Sequence, residues 1–145
     1  LSYHMEDPQV FYNREDDWRF ATELYDNQQL QVEPDYLIMK LPGESKEEFA
    51  LILPFTPVNR DNMIAWMAAR SDGDNYGKLK LYEFPKQELV YGSFQIEDRI
   101  DQFPDIAEQI TLWSQRGSRV IRGDILVIPI DGSILYVQPL YLRAD

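Results

Sequence analysis

Cysteine is absent from this 145-residue chain, and histidine occurs once, at His4. Without thiols the chain has no disulfide, no thiolate metal site and no cysteine nucleophile, and its composition suits an oxidising and a reducing compartment equally. A single histidine in a polar stretch excludes a multi-histidine metal centre and disfavours a histidine-assisted nucleophile. The sequence also contains no phosphate-binding glycine loop and no nucleophile elbow.

Long apolar runs are absent as well. The longest, at 63–69, has seven residues, and the C-terminal run at 125–130 has six, whereas a membrane-spanning helix needs roughly 20. The opening residues LSYHMEDPQ lack the basic and apolar regions of a signal peptide. We therefore expect a soluble segment that does not itself insert into a membrane and that belongs to something longer.

Basic side chains are scarce. The chain has 14 lysines and arginines against 25 acidic residues, a net charge of -11. Residues 1–34 alone carry eight acids and two bases. Nonspecific binding to nucleic acid or to an anionic membrane surface requires a basic footprint, so neither is expected here.

Apolar residues are plentiful, at 44% of the chain with 13% aromatic, and they support a folded core. Runs at 36–41 and 49–55 flank a loop rich in charge, proline and glycine, which predicts a hairpin. Met63, Trp66 and Met67 share one face at helical spacing and predict a helix over about 59–70. Alternation over 79–84 predicts a strand, and apolar rows at helical spacing predict two helices over about 94–116.

The chain closes with two apolar runs around Asp131-Gly132, a dipeptide typical of a hairpin turn. Because 125–130 and 134–137 are apolar at nearly every position, we expect both faces of this hairpin to be covered. Pro139 cannot donate a ladder hydrogen bond, so strand pairing should break or bulge beside Gly123.

Together these patterns predict an α+β fold with a mixed, mostly antiparallel sheet, about three helices and two hairpins. Residues 1–34 are expected to form a polar N-terminal arm that packs on an α+β body at 35–145. Within the arm, Asp7-Pro8 predicts the start of a helix, and 25–35 is typical of an irregular linker. If helices cover one face of the sheet, the arm or a missing part of the protein must cover the other.

Several long sequence segments resemble those of a known family. They are IMKLPGESKEEFALILPFTPVNRDNMIAWMAARSDGDNYGKLKLYEFPKQELVYG, QIEDRIDQ and ITLWSQRGSRVIRGDILVIPI, with a looser likeness in HMEDPQVFYN. Over about 36–142 the chain resembles the uncharacterised protein family 0182. The resemblance implies a large, multi-pass bacterial membrane protein, with a block of spanning helices followed by a soluble part outside the cytoplasm. It implies no activity, cofactor or catalytic residue.

The loop SDGDNYGKLKLYEF matches a calcium-binding pattern in part. Counting from Asp72, the ligand positions 1, 3 and 12 of an EF-hand loop hold Asp72, Asp74 and Glu83, and the turn position 6 holds glycine. However, Tyr76 and Lys80 occupy two further ligand positions, and a strand pattern follows where the motif requires a helix. Weak calcium binding at Asp72, Asp74 and Glu83 is therefore one hypothesis, and a simple helix-to-strand turn is the other.

Charged clusters supply the remaining candidates. Arg116, Arg119 and Arg122 lie in SQRGSRVIRGD and indicate either an anion or partner contact or ordinary surface ion pairs. Glu97, Asp98 and Asp101 lie on one predicted helix, where neighbouring Arg99 indicates a solvated face rather than acid-base chemistry.

These observations favour a noncatalytic interaction or assembly domain that is soluble, lies outside the cytoplasm and has the rest of its own membrane protein as partner. The alternatives are part of a hydrolase or transferase whose active site is completed by missing segments, and a calcium-stabilised domain. A deep cleft lined by buried acids with shifted pKa values would favour the enzyme. An open apolar patch would favour the interaction domain.

Overall fold

The computed structural model describes residues 1–2, 4–25, 28–115, 117–130 and 132–144. Over these ranges the chain is α+β, with three α-helices and otherwise mainly strands, as predicted. Every strand pair in the described ranges is antiparallel, so the expected mixed pairing is not seen there. Hairpins occur at both predicted places, and further antiparallel neighbours accompany them.

The helices begin and end where local sequence signals change. They are α1 Pro8–Asn13, α2 Ser93–Gln102 and α3 Pro104–Trp113. Asp7 caps α1, because its Oδ1 accepts a hydrogen bond from the Gln9 backbone N–H at 2.7 Å. Phe103 separates α2 from α3, and Pro104 opens α3 in a first-turn position. The predicted helix pair is confirmed, and it ends three residues earlier than expected.

Eleven strands lie in the described ranges. They are β1 Trp18–Phe20, β2 Thr22–Tyr25, β3 Gln28–Gln31, β4 Asp35–Lys40, β5 Glu47–Pro57, β6 Ala65–Arg70, β7 Leu79–Glu83, β8 Ser118–Arg122, β9 Leu126–Ile130, β10 Ser133–Val137 and β11 Leu140–Ala144.

The main sheet is centred on the long strand β5. Its neighbours follow the order β1-β5-β6-β7, and β4 also pairs with β5. The first half of β5 pairs with β4, where Asp35 lies opposite Ile52, and the second half pairs with β1, where Phe20 lies opposite Phe55. The hairpin predicted at 36–41 and 49–55 is thus confirmed as β4 and β5. Residues 18–20 form part of this sheet, and the division of the chain at residue 34 stays a prediction.

The helix predicted over 59–70 is wrong, because this segment contains strand β6. It pairs with β5 on one side and β7 on the other, and Trp66 lies opposite both Pro54 and Tyr82. Residues 63–69 are all apolar, so no alternation distinguishes this strand from a helix by spacing alone. The calcium-like loop consequently joins two strands rather than a helix and a strand.

The irregular linker predicted over 25–35 is also wrong in part. Residues Gln28–Gln31 form β3, which pairs with β2. All four side chains of β3 are exposed. A strand with no apolar face carries no alternation for a sequence reading to detect.

The C-terminal hairpin is interrupted by a bulge. Leu126 lies opposite Val137 in the β9–β10 half, and Arg122 lies opposite Leu140 in the β8–β11 half, which is a register shift of one residue. The Gly123 N–H donates to the Pro139 carbonyl at 2.9 Å. A Cβ on Gly123 would lie 2.8 Å from Pro139 Cγ, so the close approach requires glycine. The bulge predicted beside Gly123 is confirmed. Asp131 of the predicted turn lies outside the described residues.

The core is divided into three clusters. One lies on the inner face of the main sheet and contains Met39, Leu41, Ala50, Ile52, Trp66 and Ala68. A second contains Trp18, Phe55 and Ala65. The third joins Ile125 and Val127 of the C-terminal hairpin to Met63, with Val90, Ile96, Ile134 and Tyr136 packed around them. None of the helices in the described ranges has the length and apolarity needed to cross a membrane.

Candidate functional site

One face of the main sheet is apolar and largely uncovered. Opposite residues in an antiparallel sheet project to the same side, so the strand register identifies its members. We define the open face as Tyr36, Ile38, Phe49, Leu51, Leu53, Met67, Ala69, Leu79 and Leu81. None of these nine residues is buried, and exposure reaches 64% at Tyr36, 73% at Ile38 and 67% at Leu79. The opposite side of the same strands holds the buried inner cluster.

The open face consists of cross-strand rows rather than scattered residues. One row runs Tyr36, Leu51, Ala69 and Leu79 across four strands. The Tyr36 ring stacks on the neighbouring Phe49 ring with centroids 5.3 Å apart. A contiguous apolar surface of this kind is typical of a protein interaction site.

The N-terminal residues cover only one end of this side of the sheet. Trp18 is 6% exposed and packs against Phe55 and Ala65, beyond the last row of the open face. The His4 ring stacks on Trp18 with centroids 3.7 Å apart. The face that the sequence predicted to need a lid is thus partly covered by His4 and Trp18 and otherwise open.

The C-terminal hairpin presents a second apolar surface. Val127, Ile134 and Tyr136 point into the third core cluster, while their neighbours along the strands point away from it. We define the outer hairpin face as Leu126, Ile128, Ile130, Leu135 and Val137, which share the other side of the β9–β10 pair. Three of these side chains are 43–47% exposed. The expectation that both faces of this hairpin are covered is therefore wrong within the described residues.

A cleft of about 620 Å³ lies between these two surfaces. Tyr36 of the open face and Leu126 and Val137 of the outer hairpin face all line it. Its remaining walls are Tyr25, Asp35, Gly123, Asp124, Pro139 and Tyr141. Burial, reinforced by the nearby Asp124 carboxylate, raises the pKa of Asp35 above its usual range.

Buried carboxylates hold the bulge in place beside this cleft. We define the carboxylate junction as Glu23, Glu97, Arg122 and Gln138. Glu97 is 0% exposed, and its Oε2 accepts from Arg122 Nη1 at 2.8 Å. Gln138 Nε2 donates to Glu97 Oε1 and also to the Gly123 carbonyl, the latter at 3.1 Å. Burial raises the pKa of Glu97, and its hydrogen bond and ion pair with Arg122 oppose that rise.

Glu23 approaches the bulge from the other side. Glu23 is 4% exposed, and its Oε2 accepts from the Ile125 N–H at 3.0 Å. The pKa of Glu23 is raised from its ordinary 4.5 to about 7, mainly by burial. The Ile125 hydrogen bond opposes this rise, and the charges of Asp124, Asp35 and Glu97 add to it.

The three predicted calcium ligands do not converge. Asp72 and Asp74 lie at the 3-10 turn Gly73–Asn75, and Asp72 Oδ2 accepts from the Phe49 N–H at 2.6 Å. Glu83 ends β7 opposite Ala65, five residues and so roughly 17 Å along the strand from Lys78 beside that turn. In the part of the chain that the structure describes, no three acidic or histidine side chains are grouped to hold a metal ion.

Two of the three arginines of the predicted cluster lie in the described residues, and they have different surroundings. Arg122 bonds to Glu97 and Asp101, and these bonds keep its pKa raised although burial opposes them. Arg119 is exposed, lies opposite Arg143 and borders a smaller cavity of about 280 Å³ that also touches Arg122. Arg116 lies outside the described residues. Arg122 is therefore committed to internal ion pairs, and the anion or partner contact stays a prediction.

Sequence reasoning missed both buried acids of the junction. Glu97 was expected on a solvated helix face, but it is buried because Arg122 and Gln138 reach it from the C-terminal hairpin. The sequence feature that could have indicated burial of Glu97 is its position next to Ile96 and one turn from Ile100. It therefore lies at the edge of the apolar stripe of α2. Glu23 had no comparable signal, because its partner Ile125 is 102 residues away.

Comparisons with known proteins point to one family. The model of an uncharacterised protein family, UPF0182, matches residues 1–113. A UPF0182 protein of Trichodesmium erythraeum is 70% identical over the whole chain, and one of Pelotomaculum thermopropionicum is 62% identical over 99% of it. A UPF0182 protein of Methanospirillum hungatei is 61% identical over 98%. The chain spans about 16% of the length of each of these relatives. No solved structure matches it.

Proposed function

Since the chain belongs to the uncharacterised protein family UPF0182, we propose that it is a noncatalytic interaction domain of a longer membrane protein, located outside the cytoplasm. Its partner is the remainder of the same polypeptide. The membrane and extracytoplasmic parts of this proposal rest on the family resemblance described for the sequence.

The open face is the observation that carries the proposal. Soluble proteins rarely leave a contiguous apolar sheet face uncovered, and such faces mark interaction surfaces. Complete burial of a large apolar side chain contributes roughly 1.5–3 kcal/mol. Tyr36, Ile38 and Leu79, all more than 60% exposed, leave much of that contribution unused. A partner that covers the open face would therefore gain several kcal/mol.

The rest of the polypeptide is the occupant that the family membership favours. The relatives are about six times as long as this chain, so most of each polypeptide lies outside the region described here. A segment of the same polypeptide is present at high effective concentration and needs only modest affinity to dock. The outer hairpin face adjoins the same cleft and extends the surface available to it.

Single cysteines test this proposal, because the chain has none of its own. The 145-residue sequence would be grafted in place of the matching segment of the Trichodesmium erythraeum relative. Ile38→Cys and Leu79→Cys would be compared between this graft and the isolated chain, with site-resolved mass spectrometry of maleimide labelling as the readout. We expect labelling to slow at least tenfold in the graft.

Lys86→Cys, at an exposed turn, is the matched control and should react equally in both contexts. Equal labelling of Ile38→Cys in both contexts would contradict the proposal. Protection that occurs in the isolated chain and grows with its concentration would instead indicate a second copy as the partner.

An enzyme completed by other segments is the second candidate, and the cleft is the observation that favours it. Asp35 and Asp124 line the cleft, and the pKa of Asp35 is raised, as expected of an acid-base site. The Glu23 carboxyl group, in contrast, is buried and bonded to a backbone N–H. In the graft, Asp35→Asn should leave protection of Ile38→Cys unchanged if the domain is an interaction module. Loss of a hydrolase or transferase activity in that variant, without loss of protection, would support the enzyme.

A further inference from the structure

The bulge is held between two buried acids that belong to different parts of the chain. From the side of β2, Glu23 accepts from the Ile125 N–H at 3.0 Å. From the side of α2, Glu97 accepts from Arg122 and from Gln138, which also bonds to the Gly123 carbonyl. Glu97 is thus bonded to a positively charged side chain, whereas the hydrogen bond of Glu23 comes from a neutral backbone N–H.

The charged groups around Glu23 are mostly acidic. Asp35 from β4, Asp124 from the bulge and Glu97 from α2 all act on it with the same sign. β8 contributes Arg122, whose guanidinium is bonded to Glu97 and Asp101, and Arg119, which borders the cavity beside Leu24. The residue opposite Glu23 on β3 is Leu30, which is uncharged. A charge on Glu23 is therefore surrounded chiefly by like charges.

We propose that Glu23 is a proton-dependent latch, which holds the C-terminal hairpin against β2 when neutral and releases it when ionised. This inference goes beyond the proposed function and does not depend on it. A neutral carboxyl group still accepts the Ile125 hydrogen bond through its carbonyl oxygen. An ionised one accepts it more strongly but is buried among three other acids, and repulsion and loss of hydration outweigh that gain.

The pKa of Glu23, raised to about 7 mainly by its burial, makes this equilibrium responsive near neutral pH. A carboxyl group whose pKa is higher in the closed state binds its proton more tightly there, so closure is favoured at low pH. Closure weakens as the pH rises through about 7. Gly123 and Asp124 of the bulge also line the 620 Å³ cleft, so release of the latch widens the passage between the two apolar surfaces.

Amide hydrogen exchange in the 145-residue chain measures the latch directly. Protection factors for Ile125, Val127 and Tyr136 would be compared at pH 6 and pH 8, each corrected for the intrinsic pH dependence of exchange. We expect a fall of about tenfold at pH 8, as follows from a change in pKa between two states. Glu23→Gln keeps the acceptor without the charge and should remove this fall.

Glu33→Gln, at an exposed glutamate of the same N-terminal region, is the control and should behave like the parent chain. Equal protection of Ile125 at pH 6 and pH 8 in the parent chain would overturn the latch. So would a fall in Glu23→Gln as large as in the parent chain. If Glu23→Gln does not fold, NMR titration of the parent chain decides, because the latch requires the Glu23 carboxyl carbon and the Ile125 amide to titrate together near pH 7. An ordinary glutamate value at that carbon would refute it.

Discussion

At the residue scale, burial of Glu97 is a tertiary effect. Its helix also presents exposed Asp98 and Arg99, and a sequence reading therefore assigns the acids of α2 to solvent. Arg122, 25 residues later, bonds to Glu97 and changes that assignment. The candidate site could be predicted only where a local turn sets the strand pairing, as the hairpin does for Gly123 and Pro139. It could not be predicted where a charged side chain pairs with a residue from another part of the fold.

Removing the cation of this pair should be strongly destabilising. Arg122→Met leaves the fully buried Glu97 without its opposite charge, and we expect a loss of about 3 kcal/mol in the free energy of unfolding. Urea denaturation followed by tryptophan fluorescence measures it. Arg60→Met, at an exposed position, should change stability by less than about 0.5 kcal/mol. Similar losses in both variants would show that the buried pair contributes no more to stability than an exposed arginine does.

At the element scale, the sequence predicted strands well where turn residues bound them and poorly where partners decide. The loop with Pro42 and Gly43 separates β4 from β5, and both strands were found as predicted. β6 instead depends on hydrogen bonds to β5 and β7 on its two sides. Its local pattern fits a helix equally well, so long-range pairing decides the outcome.

A threonine in β6 distinguishes strand from helix. Thr costs about 0.6 kcal/mol relative to Ala in a helix, whereas β-branched residues favour strands by up to about 1 kcal/mol. Ala69 pairs with Leu51 and Leu79 in the sheet. Ala69→Thr should therefore leave thermal stability unchanged or raise it. Ala107→Thr on α3 is the helical comparison, and it should lower stability by a few tenths of a kcal/mol.

The start of α2 depends on a close backbone approach. A Cβ on Gly92 would lie 2.0 Å from the Asp61 carbonyl oxygen, so Gly92→Ala must displace backbone. We expect a loss of about 3 kcal/mol or more, at the upper end for overpacking. Asp98→Ala, at an exposed position of the same helix, should cost less than about 1 kcal/mol by thermal unfolding. If Gly92→Ala were as stable as Asp98→Ala, the tight contact would be disproved.

At the scale of the whole molecule, the sequence predicted that one sheet face needs a lid, but not which face or how much of it is open. Apolar content shows that burial is required, whereas the register of four strands decides which nine residues share the open face. A one-residue change in register would move each side chain to the other side of the sheet. Register is a property of the assembled sheet, and this explains why local patterns do not specify it.

Glu23 should also contribute to the pH dependence of the free energy of unfolding of the whole chain. Folding raises the pKa of this group from 4.5 to about 7, so its stabilising effect is complete below about pH 4.5 and is lost as the pH rises through about 7. The loss is at most about 3.4 kcal/mol. The difference in unfolding free energy between the parent chain and Glu23→Gln, measured by urea denaturation from pH 5 to pH 8.5, isolates this contribution from other groups. A difference that does not change with pH would contradict it.

The one-residue shift at the bulge has a genetic consequence. In β8, Arg122 faces the helices, whereas in β9 the odd-numbered Val127 faces the core, and the extra residue at 123–125 allows both. An in-frame deletion of the single codon for Asp124 would restore unbroken pairing and force one half of the hairpin to turn its apolar side chains outward. Codon deletions at this point should therefore be lethal to folding, whereas a deletion in the exposed turn at 86–88 should be tolerated. In a library of single-codon deletions scored for soluble expression, we expect deletions at 123–125 to abolish expression and deletions at 86–88 to retain it.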